Sequence, residues 1–196
     1  MKLYYWPGTR AVRSRWLLEE LAIGYELIRF DPSKVIDPAY LRMHPHGQVP
    51  LLVDGEAIVH ENCGICLYLA DKFITRGLAP PYGSTLRGEY FKWMAYSLIP
   101  TDPPLWAIAT HRSGSGHGVL DLPTALDRAQ TWTGVMERAL DGRRFFLGDA
   151  FSAVDVMLGS GIIWAKSLEV LPAETPLHAY IDRITSRPAY VRAHAD

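Results

Sequence analysis

Two cysteines stand three positions apart in the segment CGIC, at Cys63 and Cys66, and the chain has no others. A Cys-x-x-Cys pair is the pattern of a thiol–disulfide centre, in which one thiolate attacks and its neighbour resolves the mixed disulfide. Immediately before it lie Glu61 and Asn62, at the start of a helix expected over 62–73. A helix start presents unpaired N–H groups and a positive dipole end, which together seat an anion. The stretch therefore admits two chemistries: dithiol exchange by the cysteines, or binding of a carboxylate by the residues in front of them. Seven histidines are present, but none sits in a metal-binding pattern such as His-Glu-x-x-His, so no metal site is expected.

These residues need elements to hold them. Aromatic KLYYW ends at Pro7-Gly8 and reads as a strand. In the following RAVRSRWLLEELAI, Val12, Trp16, Leu17 and Leu21, with Leu18 beside them, form a helical stripe that Gly24 ends. YELIRF is a second strand, after which Asp31-Pro32 opens a loop, and PAYLRM is a short helix. VPLLV and AIVH flank Asp54-Gly55, a strong hairpin signal. Strands joined through a helix pair in parallel, and a hairpin adds an antiparallel pair. The expectation is a small mixed sheet, four-stranded, with helices on its faces.

After RGLAPPYGS, rich in Gly and Pro, the pattern changes. Helices are expected at 84–99, 104–112, 121–141, 153–168, 176–185 and 188–194, with a flexible loop over 111–118. The division is an α/β domain over 1–76 and an all-α domain over 84–196. In AFSAVDV, Ser152 is an N-cap with Asp155 as its capping partner, and Phe151 and Val156 are at staple positions. Net charge is -1, apolar residues make up 48% and charged residues 21%, so neither a nucleic-acid surface nor an anionic-membrane surface is suggested. No signal peptide, membrane span or disulfide framework is recognisable, and a cytoplasmic protein is expected.

Five segments in this order, YYWPGTRAVR, HPHGQVPLLVDG, HEN before a helix, FLGDAFSAVDV and RPAYVRA, resemble the cytosolic glutathione transferases over essentially the whole chain. The nearest flavour is the bacterial and insect enzymes with a hydroxyl or thiol just after the first strand. The resemblance implies a thioredoxin-like first domain, an all-helical second domain and a homodimer, with glutathione as co-substrate and a small electrophile as partner. It implies a cis bond before Pro50, so that Val49 holds the cysteinyl backbone of glutathione by main-chain hydrogen bonds. Glu61 would pair with the γ-glutamyl ammonium and Asn62 would meet its carboxylate, although the family usually has Ser where Asn62 stands. Gln48 falls near the tripeptide's glycine end.

Thr9 matches the thiol-activating Ser of the hydroxyl-type members. Arg10 stands where another bacterial branch keeps Cys, and Tyr5 is a further donor that strand alternation turns toward the core. Trp6, Pro7, Tyr96 and Trp106, with His111 as a further candidate, would wall the acceptor site. Trp93, Trp132 and Trp164, at helical spacing, are read as core. A thioredoxin-type CxxC follows the first strand, and here that place is PGTR; Cys63 and Cys66 read instead as small core residues. The activity implied is attack by the glutathione thiolate on an electrophilic carbon. Two alternatives stay open: a non-catalytic binding or assembly module, and a glutathione-dependent thiol–disulfide reductase.

Overall fold

A computed structural model describes residues 1–31, 33–115 and 119–195. Pro32, and the part of the expected 111–118 loop from Gly116 to Gly118, lie outside the described residues.

The first strand, β1 (Lys2–Tyr5), buries Leu3 and Tyr5 by alternation. Helix α1 (Val12–Leu21) carries the chain over to β2 (Glu26–Arg29), which pairs parallel to β1 in the register Leu3↔Leu27. Helix α2 (Pro38–Met43) starts on Asp37, whose side chain accepts from the Ala39 N–H. Strand β3 (Leu51–Asp54) runs antiparallel to β1, and β4 (Ala57–His60) returns along β3. The sheet order is β2-β1-β3-β4, the mixed four-stranded sheet expected. Because Asp54 pairs with Ala57, the hairpin loop is the two residues Gly55-Glu56. Helix α3 (Asn62–Lys72) follows, then a short 3₁₀ turn at Ile74–Arg76. Asp54 accepts from the Tyr68 hydroxyl at 2.8 Å and pairs with Lys72, which ties α3 to the hairpin.

Two compact units result: Met1–Leu78 together with the chain from Ser186 onward, and Ala79–Thr185. Grouping all of 84–196 as helical domain therefore misses the tail. The last helix, α9 (Pro188–His194), packs on α1. Trp16 meets the Tyr190 ring edge-on at 5.0 Å, and its indole N–H donates to Glu20. Arg187 grips the Glu20 carboxylate through Nε and Nη2 at 2.6 and 2.7 Å, and Arg192 holds Glu19.

The second unit contains α4 (Leu86–Tyr96), α5 (Asp102–Arg112), α6 (Leu122–Leu140), α7 (Ala153–Ser167) and α8 (Leu177–Thr185). Helix α5 begins two residues earlier than expected, because prolines are tolerated in a first helical turn. Helix α7 is its core element, buried continuously from Ala153 to Gly159. A Cβ on Gly159 would come within 2.6 Å of Ile184, and one on Gly161 within 2.7 Å of Thr101, so both glycines permit close packing. Asp155 lies at 0% exposure and accepts from Ser152 N–H, Ser152 Oγ, Phe146 N–H and Tyr180 Oη at 2.9–3.1 Å. The capping box read from the sequence is present. No helix among the described residues is long and apolar enough to cross a membrane.

Candidate functional site

Leu51 of β3 pairs with His60 of β4. The residues just before Leu51 and just after His60 therefore emerge side by side from one end of the sheet. These are Gln48, Val49 and Pro50 on one strand, and Glu61 and Asn62 on the other. The Val49–Pro50 bond is cis. Sheet pairing begins only at Leu51, so Val49 stands outside the ladder, half-buried, while Gln48 is exposed. Tyr40 of α2, buried, donates its hydroxyl to the Gln48 carbonyl at 2.6 Å and stacks on Phe30 with ring centroids 3.7 Å apart. Burial pushes the Tyr40 hydroxyl well above its ordinary pKa, so it stays a donor.

Glu61 occupies the N-cap position of α3 with φ +70°, a region that disfavours every residue except glycine. Its carbonyl accepts the first helical bond from Ile65 at 2.9 Å, and its carboxylate is 66% exposed. His60 Nδ1 lies 4.0 Å from Glu61 Oε1, and His44 stacks on His60 with centroids 4.6 Å apart. Burial, and then the neighbouring His60, hold His44 below the usual imidazole pKa, so it is neutral at pH 7.

Among the thiol-activating candidates, Thr9 donates its hydroxyl to the Trp6 carbonyl at 2.7 Å and accepts from the Ala11 N–H at 3.3 Å. It closes the Pro7-Gly8 turn and leads into α1. Donation to a sulfur requires this hydroxyl to turn away from Trp6. Arg10 is exposed. Tyr5 does not join them. It is 1% exposed, and its hydroxyl accepts from Arg15 Nη1 at 3.4 Å, so the alternation that turns it inward decides its place.

Of the acceptor-wall candidates, Trp6 and Pro7 are half-buried in the first unit, and Tyr96 and Trp106 belong to the second. Trp106 is 48% exposed and meets Trp164 edge-on at 6.4 Å. Trp164 is thus only part-buried and not the core residue expected, whereas Trp93 and Trp132 are core. His111 approaches the Leu120 carbonyl at 3.1 Å.

Cys63 and Cys66 are free thiols on α3, both buried. Burial pushes the Cys63 thiol up to about 11 and Cys66 higher still, outweighing the pull of the Arg13 guanidinium. Both stay protonated at neutral pH, which removes the nucleophile that a dithiol enzyme needs. No cluster of metal-ligating side chains occurs among the described residues.

Sequence reasoning missed Ser14. It is fully buried on α1 and donates its hydroxyl to Asn62 Oδ1 at 3.0 Å. The signal was available: Ser14 precedes Leu18 by four and Leu21 by seven, which puts a hydroxyl on the core face of the helix.

The sheet, with its bared strand residue beside an acidic helix start, is that of a thioredoxin-like domain, followed here by a helical unit. Residues 1–71 match the sequence model for "Glutathione S-transferase, N-terminal domain". Glutathione S-transferase GST-4.5 of Xanthomonas campestris is 28% identical over 188 residues, covering 94% of this chain and 92% of that protein. A solved structure described as a ternary complex of BphK, a bacterial GST, superposes with TM-score 0.87 at 25% identity, covering 99% of this chain and 98% of that one. A sphingomonad glutathione S-transferase complexed with glutathione gives TM-score 0.82 at 28% identity, covering 99% and 97%. Along its whole length the chain is thus similar to bacterial glutathione S-transferases, and residues 1–71 match the N-terminal domain of that family.

Proposed function

We propose that this chain binds glutathione at the sheet end formed by residues 48–50 and 61–62 and acts as a glutathione transferase. The observation that carries the reading is the pairing of Leu51 with His60, which sets the unladdered Val49 beside a helix start bearing an exposed carboxylate. An extended peptide adds to such a bared strand residue through main-chain hydrogen bonds alone. The α3 N-terminus receives the γ-glutamyl carboxylate, with the Asn62 amide as an added donor. The Glu61 carboxylate pairs with the γ-glutamyl ammonium. Gln48 lies toward the glycine end.

The tripeptide's thiol then falls near the start of α1. A free thiol of pKa about 8.5 is mostly protonated at neutral pH. The helix N-terminus and the Arg10 charge favour its anion, and the Thr9 hydroxyl donates to the sulfur once it releases the Trp6 carbonyl. The thiol proton passes to solvent. The sulfur lone pair forms a C–S bond to an electrophilic carbon, and the leaving group departs with its bonding pair. Trp6 and Pro7, half-buried just before the start of α1, offer an apolar wall beside that sulfur, and an indole ring suits a flat or apolar electrophile. The working form is a cytoplasmic homodimer, and detoxification by conjugation is its role.

A binding module is the second reading, and the engagement of the Thr9 proton by Trp6 favours it. Retention on immobilised glutathione, combined with the ultraviolet absorption of the bound thiolate, separates the two. Retention with a thiolate signal supports the transferase. Retention without one supports the module, and no retention overturns both.

A further inference from the structure

We infer that Ser14 is a positioning residue for glutathione: its hydroxyl fixes the Asn62 amide so that the amide nitrogen, not the oxygen, is offered to the γ-glutamyl carboxylate. This rests on the glutathione reading above. A fully buried hydroxyl needs a partner, and Ser14 Oγ meets Asn62 Oδ1 at 3.0 Å across 48 residues of sequence. A side-chain amide has an acceptor oxygen and a nitrogen with two donor protons. Ser14 commits the oxygen. No protein group among the described residues takes the Nδ2 protons, and Asn62 is only half-buried at the first position of α3. Two donor protons are thus held beside the free N–H groups of a helix start, where an anion is favoured.

The same contact accounts for a residue that departs from the family pattern. Serine, usual at this position, has a hydroxyl that serves as its own donor and needs no second residue to orient it. Asparagine has two unlike faces, and one of them would repel a carboxylate. A hydroxyl at position 14 selects between them. The reversed amide would aim Oδ1 at the incoming carboxylate and leave the buried Ser14 proton to find another acceptor.

The test is calorimetric titration of the full chain with glutathione and with an analogue lacking the α-carboxylate of the γ-glutamyl group. Ser14→Ala is expected to weaken glutathione about fivefold and leave analogue affinity unchanged, with kcat at saturating glutathione within about twofold of wild type. Asn62→Asp keeps an acceptor for Ser14 but replaces the donor nitrogen with a charged oxygen. It is expected to weaken glutathione by at least about thirtyfold at unchanged thermal stability. Should Ser14→Ala not fold, Asn62→Asp decides alone: glutathione affinity equal to or better than wild type overturns the inference. If wild type binds glutathione and both variants match it, Ser14 has no positioning role while the glutathione reading stands. If wild type itself does not bind, the glutathione reading fails and this inference falls with it.

Discussion

Two helix starts in this molecule each carry an acidic side chain, and they use it to opposite ends. At the start of α7, Asp155 is wholly buried and its two carboxylate oxygens take four donors from Ser152, Phe146 and Tyr180. At the start of α3, Glu61 sits at φ +70°, makes no side-chain capping bond and leaves its carboxylate 66% exposed. The first is a closed network in which every polar group serves the fold. The second leaves polar groups facing outward and holds the backbone in a conformation that costs about 1–3 kcal/mol. A helix end satisfied from within contributes stability; one left open, at a cost, is available to a ligand.

The contrast is most easily broken at α7. Asp155→Ala strands four donors in the core, and the expected loss is about 3–5 kcal/mol in urea or thermal unfolding. A loss below about 1 kcal/mol would show that the network is dispensable and the contrast empty.

Acidity sharpens the same side. Burial raises the Asp155 pKa to about 6 from 3.8, against the pull of its four donors, so the folded chain binds this proton more tightly than the unfolded chain does. The stability gained from that proton is complete below about pH 4 and is lost as pH rises through about 6. Asp155→Asn cannot take up the proton. The stability gap between wild type and Asp155→Asn is therefore larger near pH 4.5 than near pH 7.5, by about 1–3 kcal/mol. A gap that is flat or reversed between these pH values contradicts the assignment.

At α3 the signs invert. Glu61→Gly relieves the positive φ and removes the carboxylate, so glutathione affinity falls about tenfold or more while stability holds or rises by about 1 kcal/mol. A variant that loses stability and keeps affinity would make Glu61 a structural residue. The smallest effect is expected from the cysteines. Cys63→Ala with Cys66→Ala costs about 1–2 kcal/mol of stability through lost packing and leaves conjugation within about twofold. Loss of activity in that pair would return the dithiol chemistry to consideration.

Local signals carried much of this. Ser152 and Asp155 lie three apart and announce their own cap; Asp54-Gly55 marks the hairpin; and the spacing of Val49, Pro50, Glu61 and Asn62 around that hairpin is short enough to read along the chain. What escaped depends on distant partners. Ser14 meets a residue 48 positions on, and Glu20 meets Arg187 at a separation of 167, so neither contact leaves a local periodicity. The tail's return to α1 was hidden for that reason, since α9 by itself is one more short helix. Trp164 misled because helical spacing places an aromatic residue on a face without saying whether that face is covered.

The central claim is that the open start of α3 and the start of α1 together hold glutathione with its sulfur ionised. The direct measurement is a pH titration of the ultraviolet thiolate absorption of glutathione bound to the full chain. The expected result is a saturable signal whose midpoint lies about one to two pH units below that of the free thiol. A midpoint equal to that of the free thiol, or no saturable signal at millimolar glutathione, would contradict it.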